Sequence, residues 1–195
     1  IQRAYRLPVA FAPEGAGIAQ TRPCVAGMQW EWDGVTFRFL HPPPYFPYLK
    51  NEASCVLRVE SRYGAVLLTG DIGEVIEREM VRRDAPSVRA DVVVVAHHGS
   101  RGSSDPGFIA ATGATHALVS AGYGNRFNHP HPLAVERWES AGAVVSDTMM
   151  AGALRVRLGQ GGVVLEGRRQ SHPRLWDAVR RQQAGLATTL SYRAD

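Results

Sequence analysis

Three short stretches of this sequence place acid–base or metal-binding side chains directly after apolar runs. The first is Leu67-Leu68-Thr69-Gly70-Asp71, a carboxylate one residue past a glycine. The second is Val92-Val93-Val94-Val95-Ala96-His97-His98-Gly99-Ser100, with two adjacent imidazoles. The third runs Gly122-Tyr123-Gly124-Asn125-Arg126-Phe127-Asn128-His129-Pro130-His131-Pro132, in which a proline follows each histidine. A carboxylate is a hard anionic ligand, and neutral imidazole is the commonest transition-metal ligand. Collected in one cleft, such donors suit two-metal hydrolysis, in which divalent ions activate a water and clamp a scissile phosphate.

Each stretch has a plainer alternative. Asp71 is equally placed to cap a following helix. The histidine pair can be buried and satisfied, although successive strand side chains alternate, so the two cannot both face the core. The third stretch can be a proline-stiffened surface loop. On the functional reading, Asp71 bridges metal ions and His97 or His98 enters the cleft. His129 or His131 then protonates a leaving alkoxide as general acid. Asn125 and Arg126 hold phosphate oxygens, and Ser100, Arg101, Ser103 and Ser104 do the same, a solvated turn being their alternative.

Periodicity and turn signals indicate the elements that position these groups. Trp30, Trp32, Val35, Phe37 and Phe39 flank Asp33-Gly34, a strong hairpin signal. Strands are expected over 54–60, 65–69, 91–96, 117–120 and 144–145, and a last hairpin over 154–158 and 162–166. Helices are expected over 73–83, with Val75, Ile76, Glu79 and Met80 at helical spacing, and over 106–112 and 133–141. The middle of the chain therefore alternates strand and helix, which predicts an α/β layered domain with a mixed sheet. All three chemical stretches fall at carboxyl ends of strands, where ligands bind in open α/β sheets. Residues 1–23 read as an irregular entry segment, 24–166 as the domain, and 167–195 as a basic tail with a helix over 173–183.

With 195 residues, 45% hydrophobic and 21% charged, the chain holds one ordinary domain and is not of a disordered type. The formal net charge of +4 suits a polyanion such as nucleic acid without requiring one. Lys50 is the single lysine among 22 basic residues. Arginine grips phosphate bidentately, though a GC-rich genome also explains the bias. Cys24 and Cys55 make no C-x-x-C pair; in an oxidising compartment they can join, and two unrelated buried thiols are the alternative. No apolar run reaches the roughly 20 residues that span a bilayer. The start at Ile1 reads as a piece of a longer polypeptide.

Taken together, Leu67 to Ile72, Ala90 to Arg101, and Ser120 to Pro132 resemble the C-terminal metallo-β-lactamase-like domain of ComEC-type competence proteins. Cys24 to Pro42 and Asn51 to Val59 are similar to that family as well, so the resemblance covers about 24–155. It implies an αββα sandwich, of which this chain holds the later part. It also implies a nuclease site with two divalent metals, manganese or zinc, and DNA as substrate. The parent would be an inner-membrane channel for DNA uptake in transformation, with this domain facing the periplasm. Asp71 matches the metal-bridging aspartate and His98 the last metal-ligand histidine, with His97 beside it. His129 and His131 match a later histidine motif of substrate contact or acid catalysis. A periplasmic setting implies a Cys24–Cys55 disulfide.

One departure stands out. The family's fold begins with an H-x-H-x-D-H or H-x-D-x-D-H motif that supplies most of the metal ligands. The seven histidines here, His41, His97, His98, His116, His129, His131 and His172, form no such cluster. Losing those ligands weakens metal binding severely. The expectation is a catalytically incomplete piece of a longer enzyme. His41, before three prolines, reads as a strand-end residue and His116 as structural. Two other readings remain: hydrolysis of another ester such as a phosphocholine ester or lactone, and a nucleic-acid-binding or regulatory module without a working site. The Arg174, Arg180 and Arg181 tail suits the latter.

Overall fold

The computed structural model describes residues 9–174. The tail helix expected over 173–183 lies outside the described residues, apart from its first two positions. A seven-stranded mixed sheet organises the fold, its strands lying side by side in sequence order. The tiny parallel pair β1 (Phe11–Ala12) and β2 (Arg22–Pro23) precedes it. β3 (Gln29–Trp32) and β4 (Val35–His41) form the expected hairpin, with Asp33 and Gly34 both at positive φ, as a two-residue primed turn requires. β5 (Val56–Ser61) and β6 (Gly64–Leu68) continue the antiparallel meander.

From β6 onward the sheet is parallel, through β7 (Val92–Val94), β8 (His116–Val119) and β9 (Val144–Asp147). Each step crosses over through one helix: α1 (Glu74–Asp84), α2 (Pro106–Thr112) and α3 (Pro132–Ser140). Parallel crossovers are right-handed, and these all step in one direction, so the helices share a face of the sheet. There Leu67, Val93, Ala117 and Val119 meet Ile76 and Met80 of α1, Phe108 and Ile109 of α2, and Trp138 of α3. Beyond β9 come the short α4 (Thr148–Ala151), the hairpin β10 (Leu154–Gly159) with β11 (Gly162–Gly167), and α5 (Arg168–Ser171). Val156 and Leu158 of β10 line a cleft of about 600 Å³ with Val35, Val59 and Val66 on the opposite sheet face.

The expected mixed α/β class holds. The finer αββα sandwich is not established: among the described residues there is one large sheet, helices on one face and a small hairpin near the other. One detail of α1 is corrected. Val75 is exposed and Glu77 buried, because the core-facing stripe runs Ile76, Glu77, Met80. The polar interruption hides a buried carboxylate that apolar spacing cannot reveal.

Glu77 and His41 make stability depend on pH in opposite senses. Glu77 accepts the backbone N–H groups of Ser104 at 3.0 Å and Asp105 at 2.7 Å. Burial nevertheless pushes its pKa from 4.5 up to about 7. His41 donates Nε2–H to the Glu52 carbonyl at 2.8 Å, and burial lowers its pKa from 6.5 to about 4. Glu77 therefore contributes stability that is full below pH 4.5 and lost as pH rises through about 7. His41 contributes stability present above pH 6.5 and lost as pH falls through about 4. Between these values the two slopes oppose. Glu77→Gln should leave the His41 slope alone, so urea-derived stability of the variant should rise by roughly 2 kcal/mol over that interval. A flat profile in the variant would show that the fold does not hold His41 neutral.

Candidate active-site cleft

The parallel order brings the carboxyl ends of β6, β7 and β8 to one edge, and the three chemical stretches lie there. After β6, the Thr69 hydroxyl donates to the Val94 carbonyl at 2.6 Å. Gly70 turns the chain at φ +61°, where a Cβ would lie 2.7 Å from the Ser54 Cβ; glycine alone fits without movement. The Asp71 N–H then donates to Ser54 Oγ at 3.2 Å. Helix α1 has Gly73, not Asp71, at its N-cap, with no side chain capping it. The capping alternative for Asp71 is thereby removed, and its carboxylate is partly exposed.

After β7 the backbone makes a left-handed turn, with φ of 50° at His97, 56° at His98 and 73° at Gly99. Two successive non-glycine residues in this region carry strain on the order of 1 kcal/mol or more each, so the surroundings must impose it. They do so by backbone bonds. His97 N–H donates to Gly70 O at 3.0 Å, Ser100 N–H to His97 O at 3.0 Å, and His131 N–H to Gly99 O at 2.8 Å. His98 Nδ1 lies 2.7 Å from the Ser120 carbonyl. A carbonyl only accepts, so Nδ1 carries the proton and Nε2 presents a lone pair when the ring is neutral. Nε2 faces Asp71 Oδ1 at 3.5 Å.

The third stretch is shaped by Asn125. Its Oδ1 accepts from Phe127 N–H at 3.2 Å and His129 N–H at 3.0 Å, while Nδ2 donates to His129 O at 2.7 Å and Gly122 O at 3.1 Å. These bonds set His129 beside His97, ring centroids 6.2 Å apart. His129 Nδ1 is buried without a hydrogen-bond partner. Burial, then the nearby imidazoles of His97, His98 and His131, lower its pKa against the pull of Asp71. His131 is the N-cap of α3, its Nδ1 accepting Leu133 N–H at 3.2 Å.

Asp71, His97, His98 and His129 thus converge, while several other expected contacts take different roles. Asn125 is spent on its own loop and is not free to hold phosphate. Ser103 is fully buried, its hydroxyl directed at the Ala96 and Ser100 carbonyls. The Asn51 amide lies 3.3 Å from His97 Nε2, so that nitrogen is occupied rather than open to a metal. His131 gives its Nδ1 to α3. Ser100 is mostly buried, whereas Arg101 and Arg126 are exposed at the rim. Asn51, Ser54 and Glu77 act behind the cleft without a local sequence signal, because their partners are 46, 17 and 27 or 28 residues away. His41 is buried and structural, as expected. Cys24 and Cys55 form a disulfide.

His98 Nε2 and Asp71 Oδ1 are two electron-pair donors pointed at one another. Such a pair suits a shared cation. Yet among the described residues no group of three or more His, Cys, Asp or Glu side chains is arranged to hold a metal ion.

The sequence is similar to several known proteins. Over 138 residues, 71% of this chain, the sequence is 38% identical to competence protein ComA of Neisseria gonorrhoeae. It is 32% identical over 137 residues to recombination protein 2 of Haemophilus influenzae, covering 70% of the chain. It is 36% identical over 123 residues to ComE operon protein 3 of Bacillus subtilis, covering 63%. The chain is thus similar to one part of each of these competence and recombination proteins. It spans only 20%, 17% and 16% of those three proteins respectively. No family model matches the chain. Among the described residues, no helix is long and apolar enough to cross a membrane.

Asn125 offers a direct check on how the cleft is held. Asn125→Ala removes four side-chain hydrogen bonds to the loop and should cost about 2 kcal/mol in denaturant unfolding. Asn125→Asp retains the two acceptor bonds and should recover part of that loss. Equal stability of all three proteins would show that the loop is not braced by this amide.

Proposed function

We propose that this chain is the later part of a metal-dependent DNA phosphodiesterase, a nuclease module within a DNA-uptake protein of natural transformation. The observation that carries this reading is the Asp71–His98 pair at the strand ends, with His98 anchored through Nδ1 to Ser120. Backbone anchoring of the far ring nitrogen fixes tautomer and direction, as ligating histidines require. Asp71, as a bridging carboxylate, and His98 would contribute to holding the two divalent ions, manganese or zinc, of the parent protein. The remaining ligands would have to come from outside the described residues. Of the loop histidines, His129 lies beside His97, while His131 gives Nδ1 to the α3 cap and keeps Nε2 for proton transfer. Arg101 and Arg126 at the rim suit contact with the DNA backbone.

The similarity to competence proteins supports the DNA-uptake setting. We place the parent in the inner membrane with this domain on the periplasmic side; the Cys24–Cys55 disulfide suits an oxidising compartment. The short donor set favours a second reading for the 195-residue chain by itself, that of a nucleic-acid-binding module without turnover.

In the longer parent polypeptide, Asp71→Ala and His98→Ala should each lower manganese- or zinc-dependent DNA cleavage by about 100-fold or more. The isolated chain should show no comparable turnover. Cleavage unchanged in both variants would refute the site, and robust turnover by the isolated chain would refute the incomplete-site reading.

A further inference from the structure

Phe127 is 61% exposed, an unusual position for a large apolar ring beside a polar cleft. Its presentation is imposed by the chain. The Phe127 and His129 N–H groups are both held on Asn125 Oδ1, and Asn128 between them takes a left-handed φ of 54°. The Phe127 ring stacks on His129 with centroids 5.8 Å apart and planes 18° from parallel. The guanidinium carbon of Arg126 lies 4.8 Å from the Phe127 centroid. His129 in turn meets His97 edge-on. A line of rings therefore leads from the histidines at the strand ends outward to an exposed phenylalanine, with a cation at its tip.

A flat apolar ring joined to a guanidinium is the chemistry that receives a nucleobase and its phosphate. Nucleobases in a duplex already have both faces covered, so only an unpaired or extruded base can stack on a protein ring. We propose that Phe127, with Arg126, is a base-stacking platform that selects unpaired nucleic acid and seats one nucleotide beside the histidine cluster. This rests on the DNA reading above and adds a strand-state preference and the residue that sets it. Phe127 acts in binding, through the face of its ring; Arg126 contributes charge that is indifferent to base pairing.

The test is fluorescence anisotropy of the whole chain with a labelled single-stranded oligonucleotide, the same strand in duplex, and the same strand with abasic sites. Chelator in the buffer keeps cleavage out of the measurement. The wild-type chain should bind the single strand more tightly than the duplex. Phe127→Ala should weaken single-strand binding about ten-fold and leave duplex binding unchanged, while Phe127→Trp should retain it. The abasic strand should bind the wild type as weakly as the normal strand binds Phe127→Ala. Arg126→Ala should weaken single strand and duplex alike. Single-strand binding that persists in Phe127→Ala, or equal affinity for the abasic strand, overturns the platform while leaving the DNA reading intact. Absence of binding to either nucleic acid by the wild-type chain overturns both. Because Phe127 is exposed, the variants should keep the wild-type circular dichroism and melting temperature.

Discussion

Two backbone hydrogen bonds hold the cleft together: His97 N–H to Gly70 O and His131 N–H to Gly99 O. They tie the loop after β6 to the loop after β7, and that loop to the start of α3. Parallel strands alone bring three loops to one edge of the sheet, but they leave the loops free to diverge. The two bonds fix them at backbone contact distance. Contact that close leaves no room for side chains at the crossing points. A Cβ at Gly99 would lie 2.8 Å from the Pro130 Cβ, as one at Gly70 would crowd Ser54. The glycines are thus spatial requirements of the site, and the left-handed histidines follow from the path the chain takes between the two crossings.

Behind the cleft, two polar scaffolds keep the loops from relaxing. On one side, the 50–55 segment reaches all the relevant groups from a short length of chain. Asn51 meets His97, Glu52 accepts the Gly73 N–H at 3.1 Å, Ser54 accepts the Asp71 N–H, and Cys55 is joined to Cys24. On the other side, Glu77 holds the Ser104 and Asp105 N–H groups, and the Trp138 indole donates to Ser104 Oγ at 3.0 Å. Arg137 ties α3 to Glu74 of α1 at 2.7 Å and to the Ser103 and Ser104 carbonyls. Removing one member of such a network leaves a buried polar partner unsatisfied, so each scaffold tends to persist whole.

Much of this arrangement is legible in the residue order. The Asp33-Gly34 hairpin, the three strand–helix repeats and the convergence of strand ends all follow from local periodicity and turn chemistry, which depend on neighbours in sequence. What is not legible depends on partners far along the chain. Whether Asp71 caps a helix is settled only when Gly73 is seen at the N-cap of α1. Asn125 beside Arg126 reads as a phosphate contact because both side chains bond oxygens; in the fold its amide closes its own loop instead. Ser103 follows the same logic, its hydroxyl turned inward to carbonyls of the histidine turn. Glu77 hides within a helical stripe because a carboxylate is scored as polar, while the two N–H groups that hold it lie a helix and a strand later.

Three local departures from preference support the proposed role of the cleft. Left-handed backbone at two histidines, a ring nitrogen of His129 buried without a partner, and an outward-facing phenylalanine each disfavour the folded state. All three occur at the same edge of the sheet. Single departures of this kind also occur elsewhere, at the buried His41 Nδ1 and the left-handed Tyr45, and here they coincide with acid–base side chains, which supports the proposed site. The Asp71–His98 pair points in the same direction. With Nδ1–H committed to Ser120, a neutral His98 sets a lone pair against a carboxylate oxygen, which is unfavourable until a proton or a metal ion lies between them. That opposition, rather than the overall charge of +4, supports the proposed cation site.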